Sequence, residues 1–115
     1  MKLHFLALLA IFLALPAFAH DVALNWTPGT GGGSVTGYNV KRSSVKGGPY
    51  TTVQSLASTQ TTFDDTSTAI QTEGVHFFYV ISATGPGGES ANSNEFDALI
   101  PFSGPAAPAL SGVVK

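Results

Sequence analysis

The stretch VHFFYVISATGPGGES, residues 75–90, decides the fold. Ten residues rich in aromatic and β-branched side chains run without a break and stop at Gly85-Pro86-Gly87-Gly88. They show no helical period, and both of their faces are apolar, so they read as a strand in the middle of a sheet. Successive side chains of a strand point to opposite faces. Phe77, Tyr79 and Ile81 therefore face the core, and Phe78 and Val80 are expected to face out. GPGG is a tight loop.

The same period-two pattern extends in both directions. Asp21–Thr27 puts Val22, Leu24 and Trp26 on one face. Pro28–Ser34, PGTGGGS, is a flexible turn. Thr36–Ser43 aligns Tyr38 with Val40, and Lys46–Pro49 is a further turn. Tyr50–Gln54 is a short Thr-rich strand, and Gln60–Asp65 is anchored by Phe63. Asn94–Ile100 closes the set with Phe96, Ala98 and Ile100 facing inward and Leu99 outward. Thr66–Gly74 holds at most one turn of helix. Six short strands separated by turn signals predict an all-β sandwich.

Ahead of this pattern stands MKLHFLALLAIFLALPAFAH. Lys2, an apolar run from Phe5 to Leu15, Pro16 and the small residues around Ala17–Ala19 form a secretory signal peptide over residues 1–19, cleaved after Ala19. The apolar run is shorter than the ~20 residues a membrane span needs. Cleavage leaves 96 residues, enough for one core. There is no cysteine, so packing alone must hold a domain exported to where disulfides would survive. The net charge of −2 and the absence of a basic stripe argue against nucleic acid or a membrane surface as partner.

The order and spacing of several motifs resemble the fibronectin type III domains of secreted bacterial proteins. Trp26 in VALNWTP matches the family's second-strand tryptophan, and Tyr38 and Val40 match its third-strand Tyr-x-Val. GGPYTTV, FFYVISATGPGGES with Gly88 and Ser90, and SNEFDALIP fit the following strands. The resemblance covers residues 21–101 and implies an immunoglobulin-like β-sandwich in a domain spanning residues 20–101. Two departures stand out. Phe77 occupies the place of the family's corner tyrosine, losing a hydrogen bond worth about 0.5–1.5 kcal/mol, and Ile70 replaces the preceding leucine with one extra residue between, so a looser corner is expected. The family's first strand is missing ahead of Asp21, which leaves Asp21–Thr27 as an open sheet edge.

Residues 102–115 form a Pro/Ala-rich tail. Pro105, Ala107-Pro108, Leu110, Val113 and Val114 resemble a family first strand placed at the wrong end. Three readings stay open: the opening of a following domain in a longer multi-domain protein, a disordered end, or a strand donated to its own sheet or to a neighbour's.

Candidate chemistry is sparse. Cleavage would make His20 the N-terminal residue, and with His76 it offers the amine and imidazoles that suit copper. Two ligands and an amine make a thin signature, and solvated histidines are the plainer reading. Asp64 and Asp65 point to opposite faces and cannot converge; a turn-forming role is expected. Ser34, Ser43 and Ser90 have no triad around them, PGTGGGS lacks the lysine and helix of a phosphate loop, and the loop Gly85–Ser90 contains no Arg-Gly-Asp. No catalytic residue, metal or cofactor is expected. The candidate interaction surface is Phe78, Val80 and Leu99, flanked by Lys41 and Asp97, together with Leu110, Val113 and Val114 of the tail.

The resulting expectation is a secreted, extracellular or periplasmic, non-enzymatic module for protein interaction, adhesion or spacing, with self-association through the tail strand as one of the three open readings of the tail. Its partner would be a protein or a like subunit. The second reading is a carbohydrate-associated accessory module of a secreted hydrolase system, and the remotest is a copper-binding sandwich.

Overall fold

The computed structural model describes residues 20–115; the expected signal peptide lies outside the described residues. The strands are β1 (Val22–Asn25), β2 (Gly37–Ser43), β3 (Thr51–Ala57), β4 (Thr62–Asp65), β5 (His76–Gly85), β6 (Gly88–Glu89) and β7 (Phe96–Leu99), with a short 3-10 turn at Thr68–Gln71 before β5. All pairings are antiparallel. β1 and β4 form a two-stranded sheet, and β3-β2-β5 form the second, with β6 and β7 both on the far side of β5. Backbone bonds from Ser90 to Ala83 and from Ser93 to Ile81 fill the interval between β6 and β7. β5 is thus the central strand that its two-sided hydrophobicity predicts.

The core lies between the sheets, where the alternating residues meet. Val22 and Leu24 from β1, Val40 from β2, Phe77 and Tyr79 from β5, and Ala98 and Ile100 from the β7 region pack around Ile70, which the 3-10 turn drives fully inside. Trp26 and Phe63 are partly buried against this cluster. The Trp26 and Tyr38 rings meet edge-to-face at 5.6 Å, a preferred aromatic geometry.

Among the described residues the structure has seven strands where the sequence reading has six, the added one being the two-residue β6, and two further details of the strands differ. β3 runs to Ala57 rather than stopping at Gln54, because β2 offers ladder partners as far as Gly37, which pairs with Ala57. Phe96 lies on the face expected to be buried but is half exposed, at 50%. It borders a groove beside β1 that no other strand covers among the described residues.

A polar clamp joins the sheets. The Asp65 side chain at the end of β4 is only 3% exposed, and Arg42 Nη1 of β2 lies 2.7 Å from its Oδ2. Tyr79 of β5 donates its hydroxyl to the same oxygen at 2.7 Å. Ser67 donates both its backbone N–H and its hydroxyl to Oδ1, closing the turn after β4. The Arg42 guanidinium also lies 5.7 Å from the centre of the Phe77 ring. Burial by itself pushes the Asp65 carboxyl up, but the bonds from Tyr79, Ser67 and Arg42 outweigh it and hold the group below its ordinary value. Tyr79 is raised, first by burial and then by its bond to Asp65. The turn-forming role expected of the Asp64-Asp65 pair belongs to Asp65, while Asp64 is exposed.

Asp65→Asn should cost about 3 kcal/mol, because it leaves Arg42 facing a neutral partner. Tyr79→Phe should cost about 2 kcal/mol for a lost bond to a charged group. A carboxyl whose pKa is lower folded than unfolded stabilises the fold above the unfolded value of about 4, and that stability is lost as pH falls through the folded one. Glu73 and Glu89, each held at about 2 by hydrogen-bonding neighbours, act in the same direction. Urea unfolding between about pH 2 and about pH 7 should show stability falling in acid, with a shallower fall in Asp65→Asn.

Candidate interaction surfaces

The outer face of the larger sheet does not present the apolar group read from the sequence. Phe78 and Val80 stand outside the inter-sheet cluster, as their parity requires, yet they are only 8% and 3% exposed. The reason is the central position of β5. Ser43 and Asp97 flank Phe78, and Lys41 sits opposite Val80. The His76 ring stacks on Phe78 at 6.0 Å and 12°. Lys41 lays its stem across this face to reach Glu89 at 2.7 Å and Asn92 at 3.0 Å. Ser82, in line with Val80, donates to Glu89 at 2.5 Å. Only Leu99 of this group is exposed.

The tail separates from the domain after an ordered pole. Ile100 exchanges backbone bonds with Val75 and Gly74. Gly74 has φ +81, and a Cβ there would lie 2.5 Å from the Phe102 ring, so this glycine permits both the turn and the contact. Glu73 accepts a hydrogen bond from the Ser103 hydroxyl and lies 3.0 Å from His20 Nε2. The Gln71 side chain brackets the His20 backbone, accepting from its N–H and donating to its carbonyl. The start of the domain and the root of the tail are therefore tied together at one pole. No sequence pattern signals this, because Gln71 and Glu73 sit in a polar connection without periodicity. Beyond it, Leu110, Val113 and Val114 are 97%, 85% and 98% exposed and belong to no strand.

His20 and His76 lie towards this same pole but serve different carboxylates. His76 Nδ1 is 2.6 Å from Asp97, as His20 is bound to Glu73. Among the described residues, no three His, Asp or Glu side chains gather as metal ligands.

The open edge is the outer side of β1. The Trp26 N–H donates to the Thr61 carbonyl at 2.9 Å. In the register Val22↔Asp65, Leu24↔Phe63, the bonds to β4 are therefore made by the even-numbered residues. Ala23 and Asn25 direct their N–H and C=O groups away from β4. A groove of about 420 Å3 runs along this edge, between Leu24 and Trp26 on one side and Tyr79, Ile81 and Phe96 on the other. A second hollow, of about 490 Å3, lies at the opposite pole over Trp26 and Tyr38, walled by the Gly-rich loop and residues 81–93. The buried Trp26 Nε1–H has no acceptor among the described residues.

The covered outer face makes a direct prediction. Phe78→Ser should destabilise the fold by about 3 kcal/mol or more, as truncation of a core aromatic does. Leu99→Ser should stay within about 0.5 kcal/mol, as an exposed substitution does. Urea denaturation of the two variants distinguishes them.

No family model matches the sequence. The chain is 43% identical over 75 residues to an amylopullulanase of Thermoanaerobacterium thermosulfurigenes, matching 64% of this chain. It is 45% identical over 62 residues to the amylopullulanase of Thermoanaerobacterium saccharolyticum, matching 54% of this chain. In each case it spans 4% of the relative's length. Among solved structures, an Fn3-like protein from Clostridium thermocellum is 36% identical, with a TM-score of 0.58, over 73% of this chain and 80% of that one. The sixth fibronectin type III domain of a human protein shares the fold at 18% identity and a TM-score of 0.58, over 75% of this chain and 77% of that one. Similarity to the Clostridium thermocellum protein at this identity and coverage, on a sandwich of this topology, establishes that the chain belongs to the fibronectin type III family.

Proposed function

We propose that this chain is a secreted, non-catalytic accessory module of a hydrolase system of the amylopullulanase kind, acting as a spacer or protein-contact unit. The observation that carries this reading is the match itself: a domain-sized piece, 4% of a large enzyme, is 43% identical to this chain. The chemistry of the domain agrees. Among the described residues both histidines and four of the seven acidic side chains are held in internal pairs, Asp65 with Arg42, Glu89 with Lys41, Glu73 with His20, and Asp97 with His76. Export fits the leader at residues 1–19, and a cysteine-free core tolerates either an oxidising or a reducing compartment.

One observation favours direct glucan contact as the second reading. The hollow over Trp26 and Tyr38 places an indole with an unpartnered N–H near an open wall. Sugar recognition usually exploits aromatic faces, however, and the Trp26 ring is engaged edge-on with Tyr38. Native electrophoresis in gels containing amylose or pullulan separates the two. The spacer reading expects unchanged mobility. Retardation that disappears in Trp26→Ala would replace it with direct glucan binding.

A further inference from the structure

We propose that the tail of one molecule completes the open β1 edge of the next, so that the protein assembles head to tail by strand donation. The receiving site has two parts. Ala23 and Asn25 offer two N–H and two C=O groups that no strand satisfies among the described residues. Beneath them runs the groove of about 420 Å3 lined by Leu24, Trp26 and Phe96. The donor is the segment Leu110–Lys115 of a second copy, whose apolar side chains are at least 85% exposed.

Parity selects a register. An antiparallel strand must turn alternate side chains into the groove, and Leu110, Gly112 and Val114 form such a set. Placing Leu110 opposite Trp26 sets Gly112 opposite Leu24 and Val114 opposite Val22, all facing the core. Ser111 and Val113 then fall opposite Asn25 and Ala23, the residues whose backbone groups are free. The same register brings Lys115 level with Asp21, an exposed carboxylate without an ion-pair partner among the described residues. A parallel strand would carry Lys115 to the opposite pole and lose this complementarity.

The geometry favours a neighbour over the chain's own sheet. The tail leaves from the pole where β1 begins, since His20 and Ser103 both meet Glu73. An antiparallel partner of β1 has to start beside Trp26, at the other pole. The seven steps from Ser103 to Leu110 span about 25 Å at full extension. The path from His20 to Trp26 alone takes about 20 Å, and the strap would still have to cross to the outer side of β1. A second molecule stacked end to end requires no such stretch. The contact is heterologous, so it propagates as a chain of copies.

Sedimentation of the exported chain from micromolar to millimolar concentration tests this. The expected result is a mass that climbs beyond about twice the monomer's, as an open head-to-tail contact requires. Ala23→Pro removes an outward N–H without touching the β4 ladder and should abolish receipt but not donation. Leu110→Asp with Val114→Asp should abolish donation but not receipt. Each variant alone should be monomeric, and an equimolar mixture should form dimers that go no further. Lys115→Glu should weaken assembly severalfold, and adding Asp21→Lys should restore it. A wild-type chain that stays monomeric, association indifferent to the tail substitutions, or folded variants whose mixture stays monomeric would overturn the proposal. Should Ala23→Pro fail to fold, the peptide Ala107–Lys115 added to the tail variant should shift the fluorescence of Trp26, the single tryptophan, and no shift would overturn it. None of these outcomes bears on the accessory-module reading, which the glucan gels test.

Discussion

The salt bridge between Arg42 and Asp65 is the contact on which the sandwich closes. The smaller sheet has two strands and no disulfide to fasten it. It is held to the larger sheet by Val22, Leu24 and Phe63 and by one buried carboxylate that receives Arg42 and Tyr79 from the opposite sheet. A buried charge left without partners costs several kcal/mol, so the three side chains hold their positions together. That constraint sets how β4 faces β2 and β5, and through the β4 ladder it sets where β1 lies.

The placement of β1 produces two unlike sides. On the β4 side its even-numbered residues are hydrogen-bonded and its apolar side chains are in the core. On the other side lie backbone groups with no strand partner among the described residues, over an apolar groove. Open edges of this kind are liabilities that proteins usually cover or blunt. Asp21 at the start of β1 and Pro28 just past its end bound the edge but leave its centre bare. At the pole, Glu73 and Gln71 hold the start of the domain close to the root of the tail, beyond which the tail is exposed.

Much of the fold was legible in the residues. VHFFYVISAT identified the central strand, because a strand flanked on both sides must be apolar on both faces. The turns at PGTGGGS and GPGG and the inward sets Val22/Leu24 and Ala98/Ile100 were equally plain. The clamp was half visible: Arg42 continues the inward parity of Tyr38 and Val40, and Asp65 that of Phe63, but parity does not say that two charges on strands more than twenty residues apart will meet. The outer-face surface was misread. Parity sent Phe78 and Val80 outward correctly, but exposure depends on the neighbours, and Lys41 and His76 cover them.

The sequence by itself determined the all-β class, the succession of the main strands along the chain and most of their inward faces, because these follow from period-two patterning and turn residues that act locally. It also supplied the apolar residues of the tail. Only the tertiary structure decided which backbone groups of β1 are free, since that depends on the register with β4. It alone decided that Phe96 stays half exposed beside a groove, and that His20, Glu73 and Ser103 converge at one pole. The physical reason is the same in each case: facing direction is a property of the residue and its neighbours in sequence, whereas burial, pairing and open edges are properties of what the fold brings alongside.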